Sequence, residues 1–71
     1  GLIHIDASHD CEDVLQDARM YWEILTPGGF LVGDDYNQDW PDVMRAANQF
    51  AVEKSVQVLS SKPKWIIRKA P

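Results

Sequence analysis

The chain of 71 residues predicts an α/β fold: two parallel strands joined by a helix, then a second helix and an antiparallel terminal hairpin. Three observations lead there. Two short apolar runs, Leu2 to Ile5 and Phe30 to Val32, each run into Asp, and a helix-length amphipathic segment separates them. A second segment with one apolar face follows Pro41. The last part of the chain carries two β-prone runs split by the turn-rich stretch Ser60-Ser61-Lys62-Pro63-Lys64.

Taken in order, residues 2–6 read as a strand buried on both faces, because Leu2, Ile3 and Ile5 leave little polar alternation, with Asp6 at its carboxyl end. His4, between apolar neighbours, reads as a strand residue packed in or near the core. Residues 10–25 predict a helix with Val14, Ala18, Tyr21, Trp22 and Leu25 on one face and Glu12, Asp13, Gln16, Asp17 and Arg19 elsewhere. Its acidic amino end suits the helix dipole, and Thr26-Pro27-Gly28-Gly29 stops it. Residues 29–33 predict the second strand, followed at once by Asp34, Asp35 and Tyr36. A crossover of this length joins parallel strands in the right-handed sense, so both acidic ends fall on one edge of the sheet. Residues 41–54 predict the second helix, with Val43, Ala47, Phe50, Ala51 and Lys54 along one face. Strands at 56–60 and 64–69 complete a single domain, and Trp22 and Trp65 are assigned to its core or to an interface.

Composition narrows the function. A net charge of −4 and a pI near 4.8 give no general attraction to phosphate backbones, which disfavours charge-driven nucleic-acid binding. The apolar runs fall far short of the about 20 residues that span a bilayer. A lone Cys11 forms no internal disulfide and fits a reducing, cytoplasmic setting. The chain opens directly on a strand pattern without Met, as expected of one that has been processed or shortened.

The order of these signals, Ile5-Asp6 with His9 three residues on, Leu25-Thr26-Pro27-Gly28-Gly29, then Asp34-Asp35-Tyr36 and a terminal hairpin, resembles the second half of class I S-adenosylmethionine-dependent methyltransferases. The nearest likeness is to the small metal-assisted O-methyltransferases. The resemblance covers essentially the whole chain. It implies a Rossmann-like sheet with strand order 3-2-1-4-5-7-6, of which this chain supplies the last four strands. It also implies that the cofactor, S-adenosylmethionine, is gripped by a glycine-rich turn in the preceding half. Gly28-Gly29 is no substitute, since it closes a helix and precedes a strand. The isolated chain is therefore expected to be inactive alone.

By resemblance, Asp6, Asp34 and Asp35 match divalent-metal positions, with Mg2+ the expected ion, and His9 matches the general base that takes a proton from a small-molecule hydroxyl acceptor. Tyr36 and Trp40 stand beside this edge as candidate substrate-pocket walls. Plainer readings stay open: Asp is common at strand ends and helix caps, His9 can be a helix-entry residue, and Trp40 can staple the following helix. Lys62, Lys64, Arg68 and Lys69 read as a solvated basic hairpin surface. The first strand needs a neighbour on its outer edge, which predicts either the preceding half of the fold or a homo-oligomer. An autonomous oligomerisation module is the competing function.

Overall fold

The computed structural model describes residues 1–5 and 10–71; Asp6, Ala7, Ser8 and His9 lie outside the described residues. Strand β1 (Leu2–Ile5) leads to helix α1 (Cys11–Ile24), strand β2 (Phe30–Gly33), helix α2 (Pro41–Lys54), and strands β3 (Leu59–Ser61) and β4 (Lys64–Arg68). The sheet order is β1-β2-β4-β3. β1 and β2 are parallel, with Ile3 opposite Leu31, while β4 runs antiparallel to both β2 and β3. The α/β class with two parallel strands, a terminal hairpin and two helices is therefore the observed architecture.

Local chemistry accounts for the elements. α1 begins where the Asp10 side chain accepts the Glu12 amide at 2.9 Å, with Glu12 and Asp13 in the first turn favouring the positive end of the helix dipole. Beyond its end, the Gly29 amide donates to the Thr26 carbonyl at 2.9 Å and Gly28 takes φ 82°. This is the pattern of a type II turn, with Pro27 second and a left-handed Gly third. α2 starts with Pro41, whose missing N–H is harmless at a first helical position. Its end carries Ser55 at φ 57°, with the Ser55 amide on Val52 and the Val56 amide on Ala51, a Schellman arrangement. Glycine has no side chain to clash in this conformation, so Ser55→Gly is expected to raise stability by about 0.5–1 kcal/mol in urea unfolding.

Both helices cover one sheet face. The core joins Val14, Leu15, Ala18 and Trp22 of α1 to Val43, Ala46, Ala47, Phe50 and Ala51 of α2, over Ile5, Leu31, Trp65 and Ile67. Trp22 meets Phe50 edge-on, with ring centroids 5.3 Å apart, and Arg19 donates twice to Glu53 at the rim. Alternate residues point to the opposite face. There Leu2 is 65% exposed, and Phe30, His4, Lys64 and Arg68 are also exposed.

Three expectations are corrected here. β1 is not buried on both faces: its burial alternates, because helices cover only one side of it. His4 consequently faces away from the core and is exposed. The strand expected at 56–60 begins only at Leu59, because Val56 belongs to the cap of α2; Val56 and Val58 pack half-buried against the core without pairing.

Candidate functional site

The carboxyl ends of the parallel strands bring together His4 of β1 and Asp34, Asp35 and Tyr36 after β2, with Lys64 arriving from β4. Gly33 lies opposite Trp65 in the β2–β4 register, so Lys64 stands beside the turn into Asp34. The Lys64 ammonium donates to Asp34 Oδ1 at 2.6 Å, and His4 Nε2 lies 2.7 Å from Oδ2. One carboxylate is thus clasped from two other strands. The hydrogen bond from Lys64 holds the Asp34 carboxyl below the ordinary carboxylate range; partial burial opposes this, and His4 reinforces it.

That direction fixes a pH dependence. A carboxyl whose folded pKa is lowered stabilises the fold above its unfolded value and loses that contribution as pH falls through the folded value. The stability difference between the protein and Asp34→Asn is expected to shrink as pH falls below roughly 4, the ordinary Asp range. Thermal unfolding at pH 7, 5, 4, 3 and 2 checks this. A difference that grows below roughly pH 4 would contradict it.

The neighbouring residues are anchored differently. Asp35 adopts a left-handed backbone at φ 63°, which Asp tolerates better than most residues, and its carbonyl accepts the Asn37 amide. The Tyr36 amide donates to the Pro63 carbonyl at 2.8 Å, tying this segment to the β3–β4 turn. The Tyr36 hydroxyl donates to Asn48 Oδ1 at 2.8 Å, and its ring packs against the core. Tyr36 therefore links the strand end to α2. Trp40 precedes α2 and is 41% exposed, with no side-chain cap on the helix amides. Asp6 and His9, the other expected site residues, lie outside the described residues.

The family described as "Methyltransferase domain" matches residues 1–36, which span β1, α1, β2 and the Asp34-Asp35-Tyr36 turn. The chain belongs to the methyltransferase-domain family. An uncharacterized protein of Acanthamoeba polyphaga mimivirus is 34% identical over 55 residues, covering 73% of this methyltransferase-domain chain and 24% of the viral protein. The chain thus spans about a quarter of the length of that curated relative. No solved structure matches.

The cofactor of such a domain, and the divalent ion expected from the sequence resemblance, can be set against the side chains present. For the cofactor, the glycines after α1 offer no cradle: a Cβ on Gly29 would meet Leu25 Cδ1 at 2.7 Å and the Gly1 carbonyl at 2.8 Å, so protein already fills that space. For a divalent ion, both Asp34 oxygens are taken by basic side chains, and no group of three or more candidate metal-binding side chains converges among the described residues. The described residues fit neither group as they stand.

Sequence reasoning missed His4, Lys64 and Lys69. The alternation of β1 could have turned His4 away from Ile3 and Ile5. Lys64 and Lys69 act across the fold, where no local spacing reveals their partners. No described helix is long and apolar enough to cross a membrane.

Proposed function

We propose that these residues form the carboxyl-terminal half of an S-adenosylmethionine-dependent methyltransferase that acts on a hydroxyl group of a small molecule. The supporting observation is the strand order β1-β2-β4-β3, in which the final strand inserts antiparallel beside β2. It equals the 4-5-7-6 portion of the sheet that the resemblance implies, and the family match covers its parallel part.

In this reading S-adenosylmethionine supplies the transferable methyl group, and a preceding half of the domain holds it. The present chain contributes the acceptor side. His9 takes the hydroxyl proton of the acceptor. Tyr36, held by Asn48, supports the wall of that edge. No step is assigned to a metal ion, because Asp34 is already committed to Lys64 and His4.

Titration calorimetry with S-adenosylhomocysteine tests the reading on this chain and on the protein from the longer reading frame. The longer protein is expected to bind with a Kd of about 1 μM, roughly −8 kcal/mol, and the 71-residue chain to show no comparable heat. His9→Ala in the longer protein should retain that binding and lower methyl transfer to phenolic acceptors by about 100-fold or more. Failure of the longer protein to bind would remove the proposal.

A second reading draws on the outer edge of β1. Among the described residues β1 pairs only with β2, and Leu2 of β1 and the neighbouring Phe30 of β2 are exposed apolar side chains. A self-associating module would cover such an edge with a second copy. Sedimentation of the chain as a monomer at micromolar concentration would eliminate this alternative.

A further inference from the structure

We propose that Lys64, assisted by His4, takes the place of a divalent cation at Asp34, making this carboxylate a positioning anchor between strands instead of a metal ligand. The inference uses the methyltransferase reading only to say which ion is replaced. Cofactor binding by the longer protein tests that reading separately.

The geometry carries the argument in three steps. First, the two oxygens a metal would use are each within hydrogen-bond distance of a basic side chain, at 2.6 Å for Lys64 and 2.7 Å for His4. An added cation on either oxygen would have to share it with the basic group already there and would face the Lys64 ammonium across a single carboxylate. Second, Lys64 does not arrive by chance on a loose tail. It is the first residue of β4, and the next residue, Trp65, is 1% exposed with its indole in the space beside Gly33, which fixes β4 beside the end of β2. Third, the clasp bridges β1, the end of β2 and β4 at the edge where the parallel strands finish, and the Tyr36 amide adds a bond to the Pro63 carbonyl of the adjoining turn. A charge-assisted hydrogen bond at each oxygen gives Asp34 what a metal would have given it: a defined orientation and a neutralising partner.

Mn2+ is the probe, because its unpaired electrons broaden amide resonances near any site it occupies. The full chain is titrated with Mn2+ to about 1 mM, the weak end of the range for oxygen-ligand cation sites. The Asp34 and Asp35 amides are expected to broaden no more than those beside the surface acids Glu12 and Asp17. Lys64→Gln, which removes the competing charge, should bring selective broadening at Asp34 at a Mn2+ concentration roughly tenfold lower. Lys64→Arg, which keeps the charge, should behave as the parent chain. Lys64→Met supplies a second route to the same readout if Lys64→Gln does not fold, and should also lower the Mn2+ concentration needed. Selective broadening of Asp34 in the parent chain, or a response unchanged in the folded charge-removing variant, would overturn the proposal.

Discussion

Trp65→Ala is expected to destabilise the chain by about 3–5 kcal/mol, the range for deleting a large buried aromatic side chain. A domain of this length has roughly 4–10 kcal/mol of stability in total, so the variant should be largely unfolded at 37 °C. Trp65 is 1% exposed and joins the helical layer to the centre of the sheet. Its ring also occupies the space that a side chain on Gly33 would fill: a Cβ there would lie 2.2 Å from Trp65 Cε2 and 2.3 Å from Nε1. Neither the ring nor the β2 backbone can yield that much without breaking the β2–β4 register. Gly33→Ala is accordingly expected to destabilise by about 1–3 kcal/mol in urea unfolding. The two substitutions should be strongly non-additive, because Ala at 33 clashes only while the indole is present. The two penalties summing independently would show that the indole does not press on Gly33.

Lys69→Met is the second substitution with a large expected effect. α1 has no basic residue in its last turn, so its exposed carbonyls and the negative end of its dipole need a partner from elsewhere. Lys69, just beyond β4, supplies it. Its ammonium donates to the Trp22 carbonyl at 2.7 Å and the Leu25 carbonyl at 2.8 Å, and it sits 5.7 Å from the centroid of the Trp22 ring. The Lys69 backbone also pairs with Gly28 and Gly29, which extends the β2–β4 ladder to the turn after α1. Met keeps the aliphatic stem but not the charge, leaving those carbonyls without their donor. A loss of about 1.5–3 kcal/mol is expected, the range for hydrogen bonds to a charged group. Lys69→Arg should restore part of it. An unchanged urea midpoint for Lys69→Met would show that solvent serves these carbonyls equally well.

These two residues also show where local sequence patterns stop being informative. The α/β order, both helices and the parallel pair were legible because apolar spacing and turn chemistry are local: the acidic first turn marks the start of α1, Pro27 and Gly28 form its stop, and Pro41 opens α2. Trp65 was recognisable as core or interface, but its fit over Gly33 depends on a register set between distant strands. The same applies to Lys64 and Lys69, which looked like part of a solvated basic patch and instead hold Asp34 and the end of α1. β3 was placed too early because Val56 and Val58 have strand-forming side chains, while the cap of α2 claims the Val56 amide first. At the candidate site, sequence placed Asp34, Asp35 and Tyr36 together after β2, and the fold adds His4 and Lys64 to them.

The central claim is that these residues make the second half of a methyltransferase sheet, and the position of β4 between β2 and β3 is its most specific structural consequence. Interstrand nuclear Overhauser effects in the folded chain test it directly. The account predicts contacts of Leu31 with Ile67 and of Val32 with Ile66, together with parallel contacts of Ile3 with Leu31. Contacts of Leu59, Ser60 and Ser61 with β2, in place of those from β4, would give a simple meander after the parallel pair and contradict it.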